Sequence, residues 1–277
     1  MVLEQLVNIK HLQQRPVIAV LLGFFYSIIA SVTAFIFFRN SLSLPILFLI
    51  TLLLVPSLMS LLSIEELRER KDKLQHFFQN HKDIFEVYLF LSIGIVTAYL
   101  LMAAGLHYIG ISIDSLFQEQ LKVLGKAITV DQIQSFSANK LMHALSIFSI
   151  NVGVSVFLFI LSIFYGAGSI FLVVWNASIF AAFLIRTLEA VSRGVEHAVA
   201  LLGVFSLYVI PELAGFLLAA MAGGVVSKAM ITERFMSPEF KNVVGDAFIL
   251  LLLSLALLLV AAFLESYAGV GLIQMLM

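Results

Sequence analysis

Four polar residues stand inside, or at the end of, stretches that are otherwise apolar enough to cross a membrane. Glu212 directly follows Pro211, Glu265 lies in Ala261-Ala-Phe-Leu-Glu265-Ser-Tyr267, and two amides, Asn151 and Asn176, interrupt other apolar runs. A carboxylate at the bilayer centre costs on the order of 2.5–3.5 kcal/mol on insertion scales. Acids at such positions usually face a protein interior or a wet cavity, where they can carry a proton, bind a cation or hold a ligand. Buried amides need hydrogen-bond partners, and across helices such a bond contributes about 0.6 kcal/mol, rarely above 2. Together these four residues are a candidate polar, ion or ligand site.

Other chemistry is poorly supplied. The chain has no cysteine, which excludes disulfides, thiolate metal sites and cysteine nucleophiles. His107, His143 and His197 show no ligand spacing, and Glu196-His197 lacks the second histidine of a zinc helix motif. No G-x-S-x-G or Walker loop occurs. The expectation is therefore a chain that is not an enzyme, with no metal and no cofactor. Its formal net charge of -1 offers no basic footprint for nucleic acid.

The elements that must hold the four residues follow from composition. Of 277 residues 61% are hydrophobic and 12% charged, half the roughly 25% charge of soluble domains. Mean hydropathy is +1.08, so lipid must be the solvent for much of the surface. A spanning helix needs about 20 apolar residues. Pro16–Phe38, Pro45–Ser63, Ile84–Gly105, Leu141–Tyr165 and Ala247–Leu264 qualify, and Gly168–Ile185 is a shorter, uncharged run. Val199–Ser227 is long, about 43 Å at 1.5 Å per residue. Two readings suit it. One is a single kinked helix with Glu212 near its middle. The other, which we favour from sequence, is a re-entrant or interfacial segment over Thr187–Ile210 followed by a span from Pro211 to Ser227. The fold class is all-α, a polytopic bundle of about seven spans with one helix broken at Pro211.

Seven spans with a cytoplasmic N-terminus put ten Lys and Arg inside and six outside, in the direction of the positive-inside rule. The organisation expected is a two-helix membrane extension over 1–63, a cytoplasmic connecting helix over 64–83, and a membrane domain over 84–277. Within that domain an extracytoplasmic amphipathic connector covers 106–140, its polar part Ser112–Lys140 carrying Leu116, Leu121, Leu124, Ile128, Ile133 and Phe136 as an apolar face. Arg186, Glu189, Arg193, Glu196 and His197 read as a solvated amphipathic helix through i, i+3 and i, i+4 pairs. Asp246 reads as a helix-start acid. Gly215, Ala219, Gly223 and Ser227 recur every four residues, a small-residue stripe for close helix packing or a homodimer seam.

Three segments carry a resemblance. Trp175-Asn176-Ala177-Ser178, Ile210-Pro211-Glu212-Leu213-Ala214-Gly215 with the small-residue helix to Ser227, and Ala261-Ala-Phe-Leu-Glu265 occur in that order. Over roughly residues 84–270 the chain resembles the stage II sporulation protein M family of integral membrane proteins. Where many members carry a His-Gly pair, this chain has Tyr208 and Val209. The resemblance implies a helical bundle with a polar site at Asn176, Glu212 and Glu265. It also implies a membrane scaffold that works beside envelope-remodelling enzymes. Two functional readings follow. The first is a non-enzymatic membrane scaffold in contact with lipids and with membrane or envelope proteins, docking through Ile64–Asp83 or Ser112–Lys140. The alternative is a transporter or lipid-handling protein with a buried carboxylate site.

Overall fold

The computed structural model describes residues 12, 15–38, 41–72, 77–108, 112–124, 139–165 and 168–276. Among them it is all-α, with seven helices long and apolar enough to cross a membrane. Helices are the natural solution here, because hydrocarbon offers no partner for a free backbone N–H or C=O. The long elements are α1 (Ile18–Phe37), α2 (Ser43–Asp72) and α3 (Phe77–Tyr108). A 3-10 turn (Ile113–Ser115) and the short α4 (Gln118–Leu124) come next. They are followed by α5 (Lys140–Tyr165), α6 (Gly168–Val191), α7 (Val195–Thr232) and α8 (Pro238–Phe263). A π-helical turn (Leu264–Gly269) then leads into α9 (Val270–Leu276).

The helices form two packed groups joined by α6. On one side α1 lies on α3 and α2; on the other α7 lies on α5 and α8; α6 touches α2, α3 and α7. Burial follows this order, with 72% of the α6 span buried against 22% of the α5 span. Small residues set the closest approaches. Gly23 of α1 faces the Leu91 carbonyl of α3, and Gly94 of α3 faces the Val20 carbonyl of α1. A Cβ at either would strike backbone. The stripe on α7 works the same way inside the chain. Gly223 sits against the Phe159 carbonyl of α5, Gly215 against the Leu258 side chain of α8, and Ala219 and Ser227 are buried.

Several sequence expectations change. Residues 187–210 are not a separate re-entrant element. Thr187 belongs to the end of α6, and the chain turns at Ser192–Gly194. Gly194 takes a φ of 145° there, a conformation that favours glycine. From Val195 one helix runs to Thr232 with Pro211 inside it. The interruption at Pro211 is a gap in the hydrogen-bond ladder, since proline has no N–H to give the Leu207 carbonyl. Helical backbone continues on both sides because neighbouring helices hold it. The stretch from Arg186 to His197 is likewise split by the Gly194 turn. Arg186 pairs with Glu189 (3.1 Å) and with Asp114, while His197 Nδ1 accepts from the Arg193 backbone N–H (2.9 Å).

Asp246 is not a helix-start acid. The cap is Ser237, whose Oγ accepts from the Phe240 N–H (3.1 Å), with Pro238 opening the helix. Asp246 lies two turns inside and is buried. The last span does not stop at Leu264 but carries on to Leu276, so Glu265 falls within it.

The two polar connectors are also redrawn. The 64–83 segment is built from a continuation of α2 to Asp72 and the start of α3 at Phe77, and 73–76 lie outside the described residues. Residues 106–108 belong to α3 and not to the 106–140 connector. Of that connector 112–124 is described; Ile128, Ile133 and Phe136 lie outside the described residues.

The two glycine environments predict opposite outcomes for one chemical change. Gly94→Ala forces α1 and α3 apart and should lower stability by about 1–3 kcal/mol, the usual range for overpacking. Gly153→Ala, whose Cβ meets nothing within 4 Å, should be neutral or stabilising. Unfolding midpoints of the two variants in the same detergent check the contrast.

Candidate intramembrane ligand site

Asn151, Asn176, Glu212 and Glu265 all line one cavity of about 790 Å³. They come from four different elements: α5, α6, α7 and the π-helical turn after α8. The volume lies in the range of small-molecule sites, roughly 300–1,000 Å³. The walls are apolar, built by α5 and α6 with α7 as the floor.

Each polar group is positioned differently. Asn151 Nδ2 donates to Glu212 Oε1 (2.9 Å), joining α5 to the centre of α7. Asn176 Nδ2 donates to the Leu172 carbonyl of its own helix (2.9 Å), so Oδ1 is the acceptor it can offer a ligand. Glu265 sits on the π-helical turn, the widened backbone that frequently marks functional sites. The extra residue per turn re-aims the side chains around it. The next residue, Ser266, meets His143 Nδ1 of α5 (2.9 Å). Glu212 and Glu265 interact electrostatically. A pair of this kind can share a proton or hold a cation between its oxygens.

Tyr208 was not among the sequence candidates. It lies one turn before Glu212 on α7, is only 3% exposed, and lines the same cavity. Its ring packs against Gly269, where a Cβ would come within 2.9 Å, and edge-on to Phe205 with centroids 6.1 Å apart. Its hydroxyl makes no hydrogen bond among the described residues and interacts electrostatically with both acids. The sequence marks it in two ways, by its i, i+4 spacing to Glu212 and by its place where many family members carry the His-Gly pair.

The mouth of the cavity is apolar. Ile150 (65% exposed) and Phe157 (59% exposed) stand on the α5 side, inside a helix that spans the hydrocarbon. Val123 and Leu124 of α4 and Leu44 of α2 complete the lining, and Val123 and Leu44 are exposed as well. A buried polar relay ties α4 to the bundle. Ser43 Oγ donates to Gln120 Oε1 (2.6 Å), and Gln120 Nε2 donates to Ser178 Oγ (3.0 Å). Ser178 Oγ in turn donates to the Trp175 carbonyl (2.7 Å). Gln120 is fully buried. Part of the amphipathic connector is thus docked into the bundle. The Gly215–Ser227 stripe packs on α5 and α8 and contributes no group to the cavity lining. Among the described residues no cluster of three His, Asp or Glu side chains forms a metal site.

A multi-pass helical membrane protein with an acid, amide and phenol cluster enclosed at the depth of its spans is the class these observations define. The family model described as stage II sporulation protein M matches residues 87–269, about two-thirds of the chain, and the chain belongs to that family. Comparisons with curated proteins and with solved structures find no match. The matched region takes in all four sequence-derived site residues and Tyr208, whereas α1 and α2 precede it.

A double-mutant cycle isolates the central hydrogen bond. Asn151→Ala combined with Glu212→Ala should show a coupling of about 0.6 kcal/mol and at most about 1.7, the span measured for interhelical bonds in membranes. Asn176→Ala with Glu212→Ala should show none, because Asn176 donates to its own helix. Reversible unfolding in bicelles reads both.

Proposed function

We propose that the chain is a non-enzymatic lipid-handling protein of the stage II sporulation protein M family, binding an amphiphile within the membrane. One observation carries the reading: a cavity whose exposed lining residues are all apolar also holds a cluster of polar side chains. A molecule with one apolar and one polar end matches both surfaces. A water-soluble substrate would meet Ile150 and Phe157 first, and desolvating it there is unfavourable.

The scaffold reading rests on a different feature. Helix α2 runs from Leu62 to Asp72 beyond its apolar span, about 16 Å at 1.5 Å per residue, and α3 begins before its own. The sequence of these helix ends is rich in charged residues, and a partner could dock there. The readings differ in what they ask of the cavity. A pure scaffold needs no occupant there.

Trp175 is the single tryptophan of the chain and lies on the cavity wall. In nanodiscs of chain-brominated phosphatidylcholine its fluorescence should be strongly quenched. Filling the cavity with Val154→Phe and Ile179→Phe should remove at least half of that quenching. Equal quenching in both proteins would mean that no lipid chain enters.

A further inference from the structure

We infer that the cavity selects amphiphiles whose head is an ammonium group bearing N–H donors. The inference rests on the lipid-handling reading and adds the chemistry of the head. Its basis is the donor and acceptor inventory of the lining. Asn151 and Asn176 each commit one amide N–H, to Glu212 Oε1 and to the Leu172 carbonyl, which leaves one N–H on each and the Tyr208 O–H as donors. The other Glu212 oxygen, both oxygens of Glu265 and Asn176 Oδ1 are acceptors with no hydrogen bond among the described residues. No lysine, arginine or histidine lines the cavity. The nearby bases are engaged elsewhere: His143 with Ser266, and Lys140 over the Tyr267 ring at 5.9 Å.

Tyr208 supplies an independent observation. A 97%-buried phenol that lines the cavity and has no hydrogen-bond partner among the described residues is a polar group awaiting something inside it. Its oxygen can accept from a donor-rich head, and its position near both acids places it where that head would sit. An ammonium carries three donors and no acceptor, which suits a lining whose ionised carboxylate and carbonyl acceptors outnumber its uncommitted donors. A phosphate or carboxylate head would meet two acids and no cation. A bare inorganic cation would satisfy the acids but leave the apolar walls empty, whereas an alkyl tail fills them.

The test uses the full chain in detergent micelles, with Trp175 fluorescence as the readout. The probes are 9,10-dibromooctadecylamine, 9,10-dibromooctadecanol and 9,10-dibromooctadecanoate. The amine should quench saturably with a half-saturating concentration at least ten-fold below that of the alcohol, and the carboxylate should be weaker than the alcohol. In the Glu212→Gln, Glu265→Gln double variant the amine should fall to the level of the alcohol. Unchanged quenching by the alcohol in that variant shows that the cavity is intact. Equal binding of amine and alcohol by the wild-type protein overturns the ammonium inference and leaves the lipid-handling reading standing. Competition by ethylamine at concentrations equal to the long-chain amine shows a free-cation site and also overturns the inference. No saturable quenching by any probe overturns both.

Discussion

Keeping two carboxyl groups within hydrocarbon is the constraint to which the rest of the molecule answers. Neither Glu212 nor Glu265 can be left facing lipid tails, where a charge costs kilocalories and finds no partner. Both instead face a space that the protein makes for them. That space requires three spanning helices to stand around α7 without closing on it. It also requires something to bind one acid so that the pair does not collapse. Asn151 does this from α5, and Glu265 is carried to the lining by the π-helical turn after α8.

The surrounding architecture can be read as a consequence. Helix α7 must be tight against α5 and α8 at one level and open toward α6 at another. Small residues give the first: Gly223 lets the α5 backbone touch, and Gly215 admits Leu258. Aromatic residues fill the α6–α7 side, where Phe180 of α6 meets Phe216 of α7 at 6.2 Å between ring centroids. Pro211 immediately precedes the acid, so the missing N–H falls where the helix can best afford a local adjustment. The N-terminal helices, outside the region matched to the family, still take part. Ser43 anchors Gln120, and Leu44 reaches the cavity.

Much of this was legible in the sequence. Hydrophobic run lengths locate the seven spans, because lipid imposes length and apolarity directly. The four polar residues stand out for the same reason, since an exception to an apolar pattern is easy to see. Tyr208 stands out only as a departure from the family's His-Gly pair, because its half-apolar ring fits the run around it. The course of the chain around Pro211 is obscured by a local signal. Proline argues for a break in an isolated helix, but flanking helices can hold the backbone continuous. Gly194, an ordinary glycine in sequence, makes the turn instead. Gln120 and the Asp114–Arg186 pair were out of reach, since each depends on contacts between elements far apart in the chain.

The central claim is that the acids sit in a space open to lipid and closed to water. The chain has no cysteine, so a single spin label can be placed at Val154 or Ile179 on the cavity wall without altering other residues. Collision rates with oxygen and with a water-soluble nickel chelate, measured in nanodiscs, report which solvent reaches the label. The account predicts high oxygen and low chelate accessibility at both positions. High chelate accessibility at both would contradict it and would make the cavity an aqueous vestibule.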